Sequence, residues 1–322
     1  MTAMLKTVNS KNAPSEIWPI IIAWGRGAQP SDDERQAIIA WELNNPRGAQ
    51  LWHLSANSRT LKSNAQIAQA LAGRAALLQR VVQGIETHLE TYSLPLAGPW
   101  TAWIVPLWTF WLPLAQQLDQ QQRALKAPFI QGILGGQGTG KTTLTRILNL
   151  ILGHLGQQSV GLSIDDLYLT YAQRRVLKKQ DPRFIWRGPP GTHDIELGIR
   201  TLAQLKCAEP AGTFELPQFD KSLHGGQGDR TTPLSIAAPT IVLFEGWFVG
   251  TQPVAETVFT VGSPLPEPIV SAADRDFAAE CNRKLHDYLP LWNQLDSLLV
   301  LAPTDYRRSQ QWRQQAEQDM KA

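Results

Sequence analysis

The chain has 322 residues, 43% of them hydrophobic, which is enough for one large domain or two smaller ones with a proper core. Its 30 basic and 28 acidic residues nearly cancel at +2, and no basic run stands out, so charge argues against a nucleic-acid or membrane-surface partner. Two cysteines, Cys207 and Cys281, lie far apart without metal-like spacing; they exclude a disulfide framework and read as core thiols of a reducing compartment.

In chain order, the segment up to Pro14 has neither the apolar core of a secretory signal nor the arginine content of a transit peptide. From residue 15 to about 125 the pattern is helical. Ser31 is placed as an N-cap before Asp32, Asp33 and Glu34, ahead of Ile38, Ile39, Trp41 and Leu43. Residues 63–89 carry Ile67, Ala70, Leu71, Leu77, Leu78, Val81 and Ile85 at helical spacing. Eight of the twelve tryptophans fall in this half: Trp18, Trp24, Trp41, Trp52, Trp100, Trp103, Trp108 and Trp111. Base stacking is one use of such a cluster, but without interleaved Lys or Arg, core packing is the better reading. The most apolar stretch, residues 100–115, is broken by Pro106 and Pro113 and is too short to span a bilayer. A soluble, cytoplasmic protein is expected, with an N-terminal helical region over 1–125 and a second domain over 126–322.

Beyond residue 128 strands alternate with helices. Strands are predicted at 129–134, 159–164, 240–245 and 297–302, rich in Leu or β-branched residues without polar alternation, as befits strands covered on both faces. The fold class is therefore α/β, a mostly parallel sheet flanked by helices. Residues 170–235 are loop-like, and ligands bind beyond the carboxyl ends of such strands.

Gly135, Gly136, Gln137, Gly138, Thr139, Gly140, Lys141 and Thr142 fit the pattern G-x-x-x-x-G-K-[ST], between an apolar run at 129–134 and a helical pattern from Thr143. Roughly one chain in a hundred of this length carries that pattern by accident. Glycines let successive N–H groups turn inward at phosphate oxygens, and the helix N-terminus adds positive potential. Lys141 is placed on the β- and γ-phosphates of a nucleoside triphosphate, and Thr142 on Mg²⁺.

Asp165 and Asp166 follow the second strand. One is expected to cap the turn and the other to act, with Asp165 favoured as proton acceptor and as a holder of Mg²⁺ or its water. Glu245 ends the third strand and is a second Mg²⁺ candidate; a strand-end ion pair with an arginine is the alternative. Two loops read as substrate binders. One carries Arg187, Gly188, Pro189, Pro190, Gly191, Thr192, His193 and Asp194; the other runs from Leu216 to Arg230 and includes Asp220 and Lys221. Each alone suits a solvated loop, but together they suit a small, polar, anionic substrate. After the last strand, Thr304 or Asp305 can cap a helix whose Arg307 and Arg313 would either reach over the phosphates as a lid or lie exposed.

Ser163-x-Asp165-Asp166-x-Tyr168, the strand end Phe244-Glu245-Gly246, and Pro217-x-Phe219-Asp220 resemble the phosphoribulokinase, uridine kinase and pantothenate kinase group of P-loop kinases. Gly191-Thr192-His193-Asp194, Phe219-Asp220-Lys221-Ser222 with Gly228-Asp229-Arg230, and Leu243-Phe244-Glu245-Gly246-Trp247 are similar to the plant and cyanobacterial D-glycerate 3-kinases. Asn282, Tyr288, Trp292, Leu295-Asp296-Ser297-Leu298 and Trp108-Thr109-Phe110-Trp111 continue the likeness. It covers most of residues 90–318 and implies phosphorylation of D-glycerate to 3-phosphoglycerate by ATP with Mg²⁺, as in photorespiration. By that likeness Gly135 to Thr143 cradle ATP, Asp165 is the base and Glu245 helps to hold Mg²⁺. By the same likeness Arg187, His193, Asp220, Lys221 and Arg230 are the substrate-side candidates, with individual roles unassigned. Proteins of this kind usually continue beyond the Arg-rich helix, whereas this sequence stops at Ala322, so a weakened lid is one expectation. A uridine- or pantothenate-type kinase, and an ATP-binding regulator with little catalysis, are the alternatives.

Overall fold

The structure is a computed structural model and describes residues 3–6, 16–44, 64–87, 99–207, 212–303 and 305. Nine strands lie among the described residues: β1 (Ala3–Lys6), β2 (Phe129–Gly135), β3 (Ser159–Ser163), β4 (Thr213–Leu216), β5 (Phe219–Asp220), β6 (Asp229–Arg230), β7 (Leu234–Ala237), β8 (Ile241–Gly246) and β9 (Ser297–Ala302). Five of them form one sheet in the order β1-β9-β2-β8-β3. β2 is its centre, paired parallel with β8 from Phe129↔Ile241 to Leu134↔Gly246 and with β9 from Gln131↔Ser297 to Gly135↔Leu301. Every residue of β8 is buried, the price of being covered on both faces and the reason its sequence shows no alternation. All four strands read from the sequence are present; the third is displaced by one residue, to 241–246.

By contacts the chain falls into two compact units, residues 6–126 with 142–159, and residues 1–5, 127–141 and 160–322. The first is helical: α1 (Ile17–Gly25), α2 (Asp32–Asn44), α3 (Asn64–Thr87), α4 (Leu112–Leu125) and α5 (Lys141–His154). Ser31 and Glu34 close a reciprocal cap on α2, with the Ser31 N–H donating to Glu34 Oε2 at 2.7 Å and the Glu34 N–H to Ser31 Oγ at 3.3 Å. Ahead of α4 a short 3-10 turn at Trp100–Trp103 leads through Ile104–Pro106 into a π turn at Leu107–Trp111. Pro113 has no N–H to give to Thr109 and crowds its carbonyl, and the wider turn accommodates that. Trp24, Trp100 and Trp108 are buried, and Trp18 meets Trp41 edge to face at 5.2 Å. Trp24, Trp100 and Trp108 are thus core residues, Trp18, Trp41, Trp103 and Trp111 are half-buried, and Trp52 lies outside the described residues.

The second unit carries the sheet with α6 (Tyr171–Gln180), α7 (Ile195–Lys206) and α8 (Ala272–Leu285). Ile130, Val242 and Phe244 of the sheet pack with Leu202 and Leu205 of α7 and with Leu285, Tyr288, Leu291 and Trp292. The region 170–235, expected as loops, contains α6, α7 and two small antiparallel ladders, β4 with β7 and β5 with β6. Cys207 corrects the reading of both cysteines as core thiols: it is exposed at the C-cap of α7, and Cys281 is half-buried. No described helix is long and apolar enough to cross a membrane.

Candidate active site

The turn between β2 and α5 has the shape its glycines permit. Gly138 and Gly140 adopt φ of 76° and 82°, a region that side-chain-bearing residues rarely enter. A Cβ on Gly135 would lie 2.5 Å from Thr139 Oγ1 and 3.1 Å from Leu301 Cβ, so only glycine fits against β9 there. Thr139 Oγ1 donates to the Gly136 carbonyl at 2.8 Å, and Lys141 Nζ reaches the same oxygen at 3.0 Å. That carbonyl occupies the ammonium of a lysine otherwise suited to a phosphate oxygen. Burial draws the Lys141 ammonium below its ordinary range, opposed by the charges of Glu245 and Asp165 and helped by Lys221. Glu245, buried near the end of β8, stands opposite Ile133 in the register, at the strand end that feeds this turn. Thr142 and Thr143 follow Lys141 in the first turn of α5. The curled glycine turn, the lysine and the two carboxylates whose charge it feels suit a nucleoside triphosphate with its Mg²⁺.

β3 ends in a capped 3-10 turn at Ile164–Leu167 that separates the two aspartates. Asp166 closes the cap: its Oδ2 accepts the Ser163 N–H at 3.1 Å while the Ser163 hydroxyl accepts from Asp165 N–H at 3.2 Å. Burial pushes the Asp166 carboxyl up to about 6, against hydrogen bonds from the backbone of Ser163 and Phe219. Asp165 faces the other way. Its Oδ2 lies 2.6 Å from Lys221 Nζ, and the Tyr168 side chain is near enough to favour its ionised form. Burial raises this carboxyl, but the charge and hydrogen bond of Lys221, then Tyr168 and His193, hold it below the usual carboxylate range.

The loops converge on the same place. Tyr168 is buried and stacks on His193 with ring centroids 4.5 Å apart. Asp194 caps α7, accepting the Leu197 N–H at 2.9 Å, and its second oxygen takes Arg230 Nη2 at 2.8 Å. Arg230 Nε also donates to the Tyr168 carbonyl at 2.9 Å, so this arginine knits β6 to the turn that holds Asp165. Arg187 Nη1 donates to the Gly226 carbonyl at 2.7 Å. Asp220 accepts from the Ser222 N–H at 2.8 Å and the Ser222 hydroxyl at 2.6 Å, a tight turn that presents Lys221. The structure thus brings Asp165, His193, Lys221 and Arg230 together, with Lys141 within electrostatic reach of Asp165 and Lys221 and with Asp220 and Arg187 shaping the loops. Arg307 and Arg313 lie outside the described residues.

Arg174, Phe219, Tyr168 and Tyr288 were not singled out as site residues from sequence. Arg174, on α6, donates to the carbonyls of Leu169, Gln227 and Gly228, and its guanidinium lies 5.1 Å from the Phe219 ring centroid. Phe219 has Arg187 over it as well, at 5.8 Å. Tyr288, fully buried, bonds His193 Nδ1 at 2.8 Å. Tyr168 and Tyr288 stood within quoted motifs, which was the available signal; Arg174 had none.

No protein-family model matches the chain. Over 217 residues it is 35% identical to an uncharacterized kinase of Schizosaccharomyces pombe, spanning 64% of this chain and 76% of that protein. Over 199 residues it is 32% identical to the chloroplastic D-glycerate 3-kinase of Arabidopsis thaliana, spanning 59% of this chain but 41% of that protein. Among solved structures, a D-glycerate 3-kinase from Cryptococcus neoformans is similar with a TM-score of 0.56 and 28% identity, covering 65% of this chain and 79% of that one. The chain belongs to the family of P-loop kinases that takes in the fission-yeast kinase and the D-glycerate 3-kinases, phosphotransferases with an alcohol group as acceptor.

Proposed function

We propose that the protein phosphorylates D-glycerate at its 3-hydroxyl, using ATP and Mg²⁺. The observation that carries the reading is the placement of Asp165: a carboxylate kept ionised at a strand end, paired to Lys221 at 2.6 Å and within the field of Lys141. An ionised carboxylate at that point accepts the proton of an attacking hydroxyl. Gly135 to Thr143 and Lys141 would hold the triphosphate, and Thr142, Asp165 and Glu245 would hold Mg²⁺ or its waters. When bound, ATP·Mg²⁺ supplies the phosphoryl group and neutralises the charge that builds on the phosphate oxygens. The chain's own contribution is positioning and fixed charge, with no covalent enzyme intermediate.

The cationic side of the site, formed by Lys221, Arg187 and Arg230, suits an acceptor with a carboxylate, and two relatives named as D-glycerate 3-kinases favour glycerate among such acids. In this reading residues 126–322 are the kinase domain, residues 1–125 a helical region preceding it, and Arg307 and Arg313 part of a lid. A cytoplasmic enzyme of photorespiratory glycerate salvage is the setting the reading implies.

A coupled ADP-release assay across D-glycerate, uridine, ribulose 5-phosphate and pantothenate tests the choice of acceptor. Turnover with D-glycerate alone supports it. Turnover with uridine or pantothenate and none with D-glycerate overturns it. ATP binding without ADP release from any of the four points instead to a regulator.

A further inference from the structure

Tyr288 is fully buried, and its oxygen accepts the Gly191 N–H at 2.9 Å. The other contact of that hydroxyl among the described residues is His193 Nδ1, at 2.8 Å. Nδ1 is thus the acceptor within reach of the phenolic proton, which burial would otherwise leave unpaired, so Tyr288 donates and Nδ1 accepts. Burial pushes the His193 imidazole down to about 3, against the pull of Asp165, so the ring is neutral at working pH. A neutral imidazole whose Nδ1 accepts carries its proton on Nε2.

Nε2 is buried and has no hydrogen-bond partner among the described residues. The ring cannot turn to find one: Tyr168 stacks on one face at 4.5 Å, and Phe248 meets it edge-on at 5.5 Å. Tyr168 and His193 both lie within the electrostatic reach of Asp165, which places this stranded donor on the side of the site where the proposed base stands. Buried donors without partners are rare and costly, and one at the acceptor side of a site points to a ligand atom.

We infer that Tyr288 is a positioning residue that holds His193 as the Nε2–H tautomer, and that this N–H donates to an oxygen of the acceptor substrate. The second half rests on the acceptor being a small hydroxy acid, as proposed above. A donor fixed in this way selects a carboxylate or hydroxyl oxygen and rejects a protonated amine at the same point, because an ammonium group offers no lone pair.

The test uses the full chain with histidine side chains labelled with ¹⁵N, and long-range ¹H–¹⁵N correlation at pH 7. The six histidines are told apart by the signal lost in His193→Gln. The expected result is an unprotonated Nδ1 and a protonated Nε2 at His193, with the Nε2 proton exchanging at least about tenfold more slowly under saturating D-glycerate. Tyr288→Phe is expected to give a mixture of tautomers and to raise KM for D-glycerate about tenfold, with kcat within roughly threefold and KM for ATP unchanged. An Nδ1–H tautomer in the wild type overturns the inference, and so does an Nε2 signal that the acceptor does not move. Both readouts come from the wild type, so they stand even where Tyr288→Phe is unstable. If the acceptor assay identifies another substrate, the titration is run with that compound. A wrong substrate then fails in the assay, and a wrong tautomer fails in the spectrum.

Discussion

Lys221 Nζ lies 2.6 Å from Asp165 Oδ2, joining the turn after β5 to the end of β3 across 56 residues of sequence. The pair is more than a surface contact. Lys221 is the main opponent of the burial that would otherwise raise the Asp165 carboxyl. Loss of Lys221 therefore acts on the protonation of Asp165, and in the proposed reading on the substrate's charge as well. In Lys221→Met the Asp165 carboxyl rises, and ionised Asp165 is lost at a higher pH as the solution is acidified. The acid limb of the kcat/KM profile is expected to move to higher pH, and a limb that stays in place contradicts the coupling.

Asp165→Asn keeps size and polarity but removes the proposed proton acceptor. It is expected to lower kcat by roughly 10²- to 10⁴-fold while ATP affinity changes far less. Lys141→Ala is the contrast, weakening ATP binding together with turnover. A pair in which Asp166→Asn is inactive and Asp165→Asn is near normal reverses the assignment.

Asp166 predicts an effect on stability instead. Its folded-state value of about 6 lies above that of an unfolded aspartate, so folding favours the protonated form. The associated stability is complete below the ordinary carboxylate range and is lost as pH rises through about 6. Asp166→Asn retains an oxygen for the Ser163 N–H and carries no charge. Its Tm relative to the parent is expected to be higher at pH 8 than at pH 5, measured by thermal unfolding. The same difference at both values counts against a strained, ionised Asp166.

The sequence made some of this legible and hid the rest for physical reasons. β2 and its glycine turn were readable because a doubly covered strand must be apolar at every position and a phosphate-cradling turn needs glycine at set places. The two aspartates could not be separated by position alone. The Ser163-x-x-Asp166 spacing of a capping box was present, however, and assigns the cap to Asp166. The two-residue ladder β5–β6 was not legible, since its stability comes from Arg174 reaching the Gln227 and Gly228 carbonyls, contacts that leave no local pattern. Cys207 was misread because a cysteine's usual burial says nothing of a helix that ends one residue earlier, at Lys206.

Gly228 sets the shape of the loop proposed to bind the acceptor. It adopts φ of +73°, and an added Cβ would strike the Phe219 ring, with Cζ at 2.7 Å, and the Asp220 carbonyl at 2.9 Å. Gly228→Ala displaces Phe219 from beneath Arg174 and Arg187. The expected outcome is a KM for the acceptor raised about tenfold or more with KM for ATP unchanged. Steady-state kinetics with each substrate varied in turn checks it, and equal changes in both KM values argue against a local effect.

In the helical unit Glu42 and Arg74 are 2% and 3% exposed. Arg74 Nη1 donates to Glu42 Oε1 at 2.9 Å, and Trp108 Nε1 donates to the same oxygen at 2.8 Å. Arg74→Met strands a buried carboxylate and is expected to cost about 3–5 kcal/mol of stability. The double variant Arg74→Met/Glu42→Leu should recover part of that loss. Denaturant unfolding of the two variants decides, and a single variant with unchanged stability contradicts the buried-pair account.

The most direct test of the central claim is the identity of the product. The wild-type chain is incubated with ATP, Mg²⁺ and ¹³C-labelled D-glycerate, and the product is read by ³¹P and ¹³C NMR. The account predicts a phosphate ester on C3, formed together with ADP and formed far more slowly with Asp165→Asn. An ester on C2, or no glycerate ester while another acceptor of the panel is phosphorylated, contradicts it.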